Sequence, residues 1–387
     1  MNNKNTDTRL EKLVNLILDY SVSLKENDRL VIQFDPAFRK YSSLIGSKAI
    51  EKGAEVRYDS ISLDPNVLKG FIQRYDFSEW NVELQRRIEI SKWCNARIYI
   101  TCDSNPNYAK DIVDAPKRIA EFNKRVVGPY KEVLYRLGPN KEYEVKWNIV
   151  GFPSVEDAIN IGMDIKEYED FVYSATIGND WKKMGEQMIR IKDAFDNTNE
   201  VHIVVPGLTD LKISLKNRGG EICDGKYNMP DGEICYGPVE DSANGYIYFQ
   251  CPTKSEGLGV IRGIKLKYEN GVITEYSAKE NQRALDETLK VDEGVKRIGE
   301  LGIGCNYGIK KPVLETLFDE KIGGTIHLAL GDSYKQSLSK GGGLNSSDIH
   351  WDIICDLRRD ATNLEEYPGG KLYLDGKLVQ ENGIWRI

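Results

Sequence analysis

Histidine is almost missing from this chain: three occur in 387 residues, at positions 202, 327 and 350. Cysteine is sparse and scattered (Cys94, Cys102, Cys223, Cys235, Cys251, Cys305, Cys355), an odd number with no CxxC pair. That spacing argues against a disulfide framework or a structural zinc knuckle. Most of these thiols sit beside apolar residues and read as small buried side chains, with Cys235 and Cys305 near enough in sequence to candidate ligands to border a site. No apolar run approaches the length that crosses a bilayer, and Lys4, Arg9, Glu11, Lys12 and Asp19 interrupt the first 24 residues, so neither a membrane span nor a signal peptide is expected. No GxSxG elbow is present. The run Gly341-Gly342-Gly343 lacks the Gly-Lys-Ser/Thr ending of a phosphate loop, so 339–347 reads as a flexible connection able to gate a site. The formal charge of -7, from 53 basic and 60 acidic residues, excludes a surface dominated by lysine and arginine. A cytoplasmic protein with no nucleic-acid and no membrane partner is expected.

At this length two domains are expected. The first half alternates helical and strand-like signals. Apolar residues at helical spacing run through 10–24, 41–52 (closed by Gly53) and 80–94, while 29–34, 55–61 and 96–102 read as strands. Such alternation implies a mostly parallel sheet covered by helices. A long polar helical pattern follows over 105–137, and 180–199 reads as a helix. Beyond residue 200 short strands dominate, at 201–205, 211–216, 233–236, 247–249, 263–268 and 272–276, with helices at 282–299 and 312–318. Glu269-Asn270-Gly271 is a hairpin turn, because Asn and Gly accept the positive φ it needs. The expected architecture is an α/β N-terminal domain, 1–200, with a mostly parallel sheet, followed by a β-rich α+β C-terminal domain, 201–387, that carries a metal site. No internal repeat is visible.

The metal site is written into strand alternation. In Ile349-His350-Trp351-Asp352-Ile353, His350 and Asp352 share one face and the three apolar side chains share the other. Thr325-Ile326-His327-Leu328-Ala329-Leu330 repeats the arrangement, with His327 opposite an apolar face. Burying two such polar groups without partners costs several kcal/mol (about 1–3 for each unsatisfied group), which a metal would offset. Glu233 follows a Pro230-Asp231-Gly232 turn and enters a short strand, a placement at a sheet rim. Glu300 follows the helical stretch 282–299, as an exposed helix terminus would, and precedes Leu301-Gly302-Ile303-Gly304. Either glutamate alone reads as a surface residue; with His327, His350 and Asp352 both become candidate ligands. Tyr334 lies beyond the Gly331-Asp332 turn, at a strand rim, and His202 reads as packing in an apolar strand.

Glu300-Leu301-Gly302-Ile303-Gly304, Asp319-Glu320-Lys321, Gly324-Thr325-Ile326-His327-Leu328-Ala329-Leu330-Gly331 and His350-Trp351-Asp352, in that order, resemble the M29 family of metallo-aminopeptidases, the aminopeptidase T and aminopeptidase S type. The 228–238 segment is similar to that family's first glutamate motif. The resemblance implies that Glu233, Glu300, His327, Tyr334, His350 and Asp352 surround two divalent ions per chain (Zn, Co, Mn or Mg), with Glu300 bridging and Tyr334 touching a metal or stabilising an oxyanion. It implies a peptide substrate with a free N-terminus and a homodimer. The 16-residue interval from Tyr334 to His350 is short for the family and implies a trimmed loop. Two other readings compete. His327, His350 and Asp352 alone compose a mononuclear iron site of the dihydroxypyridine ring-cleaving dioxygenase type, and a non-enzymatic metal- or peptide-binding protein would be expected to show degraded ligands, whereas all six positions are intact.

Overall fold

The computed structural model describes residues 8–60, 65–101, 107–138, 142–334 and 342–387. Cys102, Ile61, Asn105 and 339–341 fall outside them. The chain forms two compact units: Met1–Ser104, Phe122–Trp181 and Asp224–Asp231 make one, and Asn105–Glu121, Lys182–Cys223 and Gly232–Ile387 make the other. Among the described residues no helix is long and apolar enough to cross a membrane.

The first unit is built on a five-stranded sheet in the order Glu55–Ser60, Arg29–Phe34, Ala96–Ile100, Lys146–Val150, Asn228–Met229, parallel throughout. Its central strands are buried on both faces, as the apolar runs Leu30-Val31-Ile32 and Ala96 to Ile100 require. Helix Asn81–Trp93 is tied to the edge strand by ions: Arg86 pairs with the buried Asp59 and with Glu83 (2.6 Å), and Arg87 with Glu83 (2.8 Å). The α/β half is therefore as the sequence implied, but the long helix expected over 105–137 is not. Ala115–Phe122 and Gly128–Leu134 are separate helices joined by a π-helical turn, Asn123–Val127, and Gly128-Pro129 begins the second because proline suits a helix start and no other helical position.

The second unit holds two large antiparallel sheets and a two-stranded one, Thr253–Ser255 with Gly259–Ile261. Eight strands run in the order Val272–Ser277, Ile264–Glu269, Asn244–Phe249, Thr209–Ser214, Glu200–Val205, Lys371–Leu374, Lys377–Glu381, Ile384–Trp385. Asn270 (φ 49°) and Gly271 (φ 79°) make the tight hairpin turn expected of them. His202 does not pack in the core of this sheet. Its strand alternates, its ring lies on the half-open side, and its Nε2 meets Asp210 Oδ1 at 2.7 Å. The second sheet runs Glu221–Cys223, Glu233–Tyr236, Ile298–Gly304, Thr325–Gly331, His350–Asp356. Two expected helices shorten to make it. The 282–299 helix ends at Thr288, and the 312–318 helix is only Thr316–Asp319. Glu300 is consequently not a helix terminus but lies inside a fully buried strand, because Gly299, Gly302 and Gly304 disfavour helix and permit close strand packing.

Candidate metal centre

The second sheet's register assembles the site. Gly302 pairs with His327 on one side and Cys235 on the other, Gly304 pairs with Glu233, and Ala329 pairs with Glu300 and Asp352. Strand pleating then puts Glu233, Glu300, His327, His350 and Asp352 on one face, interleaved with Gly302, Gly304, Ala329 and Gly331. Leu301, Ile303, Ile326, Leu328 and Ile353 fill the opposite, buried face. The small residues are space for the large polar ones. A Cβ on Gly302 would run into the His327 ring. A bulge between Ile298 and Glu300 sets the local register at the strand's start.

The side chains converge. His327 Nε2 lies 3.3 Å from Glu300 Oε1, 3.6 Å from Glu233 Oε2 and 3.8 Å from Asp352 Oδ1. His350 Nε2 lies 3.3 Å from Glu300 Oε2 and 3.5 Å from Asp352 Oδ1. Glu300 thus turns one oxygen to each imidazole. Both rings are anchored by their other nitrogen: His327 Nδ1 is 3.1 Å from the Glu320 carbonyl and His350 Nδ1 is 2.7 Å from the Asp332 carbonyl. A carbonyl accepts only, so each Nδ1 carries the proton and donates, and each Nε2 is the nitrogen presented to the carboxylates. Two groups result whose ligand atoms lie within 4.8 Å of one another: Glu233, Glu320 and His327, and Glu300, His350 and Asp352.

Glu320 and Lys321 also lie at this site. They follow the Thr316–Asp319 turn, where no strand alternation marks them, and the only signal was the Asp319-Glu320-Lys321 triplet ahead of the His327 strand. Asp319 itself serves the turn, accepting from Val313 N (2.7 Å) and Leu314 N (2.9 Å). Tyr334 joins neither ligand group; it is 57% exposed, with its ring centroid 5.2 Å from that of His350. Cys235 borders the face, but burial and the Glu300 and Glu233 carboxylates outweigh its bond with Cys223 and push its thiol up to about 11. The described part of the expected flexible connection is anchored: Asn345 Nδ2 donates to the carbonyls of Gly331 (2.6 Å) and Gly294 (2.8 Å).

The field among these groups is strong because water is excluded. Burial alone would lower His327, but Glu300, Glu233 and Asp352 outweigh it and lift the imidazole to about 9. Burial raises Glu233 to about 7, with Glu320 and Glu300 adding to it against the pull of Lys321 and His327. Glu320 is raised to about 7 in the same way, with Asp352 adding to burial. Asp352 is held below the usual carboxylate range, since its neighbours His350, His327 and Lys321 overcome its burial. Glu233 Oε2 and Asp352 Oδ1 are buried without a hydrogen-bond partner. Carboxylates and imidazoles arranged with orphaned oxygens pointing inward fit divalent cations of the zinc, cobalt or manganese kind.

The family model described as "Thermophilic metalloprotease (M29)" matches residues 6–385. The chain belongs to the M29 family. Among curated relatives, this M29 chain is 26% identical to aminopeptidase AmpS of Bacillus subtilis, over 97% of its own length and 98% of the relative's. It is 25% identical to aminopeptidase T of Thermus thermophilus, over 70% and 72% of the two chains. The solved structure of wild-type AmpT from Thermus thermophilus superposes with a TM-score of 0.79 at 20% identity, covering 98% of this chain and 99% of that one. A 2,5-dihydroxypyridine dioxygenase from Pseudomonas putida shares the fold more distantly, with a TM-score of 0.58 at 12% identity and 99% coverage of both chains.

Proposed function

We propose that this M29 metalloprotease is an aminopeptidase that hydrolyses the N-terminal bond of peptides, using water activated at a dinuclear metal centre. The observation that carries the reading is Glu300, whose two oxygens each face a different imidazole at 3.3 Å. It would help hold both ions, with Glu233, Glu320 and His327 completing one position and His350 and Asp352 the other. Divalent ions held there would supply Lewis acidity and bring the pKa of water down to about 7. The chain's own groups do the rest. The carbonyls of Glu320 and Asp332 orient the imidazoles, and the apolar face behind them excludes water. Tyr334, open to solvent beside His350, is placed to donate its hydroxyl to a tetrahedral oxyanion. In this reading catalysis belongs to 201–387, within which every ligand candidate lies, and 1–200 is the α/β domain that accompanies it. The homodimer implied by the family resemblance belongs to the same proposal, and a monomeric mass by light scattering would remove it.

What supports hydrolysis over ring cleavage is the number of carboxylates. An open iron site needs two imidazoles and one carboxylate, whereas Glu233, Glu300 and Glu320 bring three more carboxylates beside Asp352. The test is hydrolysis of amino-acid anilides and dipeptides by chelator-treated protein resupplied with cobalt, zinc, manganese or magnesium. Metal-dependent release that is abolished by N-acetylation of the substrate is expected, and His350→Ala or Glu233→Ala should lower it by about 100-fold or more. Full activity in metal-replete His350→Ala would refute the ligand assignment. Aerobic turnover of a dihydroxypyridine with iron, and no peptidase activity, would replace the reading.

A further inference from the structure

The two ligand groups differ in charge. Glu300 and Asp352, among the described residues, form ion pairs only with the imidazoles of His327 and His350. Glu233 and Glu320 share an ammonium. Lys321 Nζ lies 2.6 Å from Glu233 Oε1 and bonds Glu320 Oε1 as well, and its side chain is 0% exposed. A fully buried lysine needs its counter-charges close by, and solvent cannot screen what it does to them. It holds one oxygen of each carboxylate and leaves Glu233 Oε2, the oxygen with no hydrogen-bond partner, turned to His327.

On the dinuclear reading above, we propose that Lys321 is a positioning residue that makes the two metal positions unequal. The Glu300, His350 and Asp352 position fills first and tightly; the Glu233, Glu320 and His327 position, which shares its carboxylates with a fixed cation, fills second and more weakly. The same ammonium changes the total charge. It adds one positive charge beside Glu233 and Glu320, which favours a carbonyl oxygen or a developing oxyanion at the site.

The test is calorimetric titration of the stripped full-length chain with cobalt, with the bound metal counted independently. Two ions per chain are expected, with dissociation constants about tenfold or more apart. Lys321→Met should tighten the second ion and close the gap, while Lys321→Arg, which keeps the charge, should preserve it. Equal affinities in the unaltered chain, or an unchanged ratio in Lys321→Met, would overturn the inference and leave the dinuclear reading standing. Saturation at one ion per chain would remove that reading and the inference with it. Should Lys321→Met not fold, His350→Ala decides: loss of the tight ion with the weak constant unchanged supports the assignment, and loss of the weak ion contradicts it.

Discussion

Gly302 shows what a single missing side chain does at this site. Opposite His327, it leaves the hollow into which the imidazole lies, and a methyl group there would meet the ring. Gly302→Ala should therefore tilt His327 away from the carboxylates. A metal affinity lower by about 10–100-fold is expected, as for loss of a group that orients a ligand, with a stability cost of about 1–3 kcal/mol from overpacking. A binding isotherm and a urea denaturation curve measure the two, and an unaltered isotherm would mean that the ring position is set elsewhere. Glu320→Gln probes a different property of the site. The amide keeps the size of the side chain and loses the charge, so the ion beside His327 should bind more weakly while the fold stays intact by circular dichroism. Of these residues, the histidines and Asp352 were legible because strand alternation separates them from oil. Glu320 was not, because a residue at the end of a helical turn has no period to reveal it.

At the level of elements, the His327 strand lies between the Glu300 strand and the strand of His350 and Asp352, with which it pairs through seven residues. Its apolar face is where the site's rigidity comes from. Leu328 is fully buried, and Leu328→Ala should cost about 2–5 kcal/mol, read from the shift in a denaturation midpoint. In the other unit, the ion pairs that Glu83 makes with Arg86 and Arg87 within helix Asn81–Trp93 should follow pH. Hydrogen bonding from Arg86, then Arg87, outweighs burial and holds Glu83 down at about 2, against an ordinary value of 4.5. A depressed carboxylate stabilises the fold above its ordinary value, and that contribution disappears as pH falls through about 2. Glu83→Gln should thus be less stable than the unaltered chain at pH 7, with the difference shrinking between pH 4.5 and 2; a constant difference across that range would contradict the pairing. Elements with strong periodicity were legible in the sequence, including the parallel strands and the Asn270-Gly271 hairpin. The Ile298–Gly304 strand was hidden because the helical pattern from Gln282 leads into it and three glycines blur its alternation.

For the whole molecule, metal should act as a stabilising ligand of the β-rich unit. Saturation at about 100 times the dissociation constant contributes about 2.7 kcal/mol. Hydrogen exchange with and without chelator should show slowed amides in the strands of Glu233, Glu300, His327 and His350, and none in the parallel sheet of residues 29–150. Slowing spread evenly over both units would contradict a site confined to one of them. The order of the two architectures along the chain was legible from the change of pattern near residue 200. The division of contacts was not, since Asp224–Asp231 joins the first unit as a short strand beyond the reach of local periodicity. One feature of the centre bears on its history. Both imidazoles are aimed by main-chain carbonyls, those of Glu320 and Asp332, and no codon change can delete a carbonyl. The aim of each ring can persist while the side chains around it drift, so two chains that have come to share only a quarter of their residues can still inherit the same working geometry.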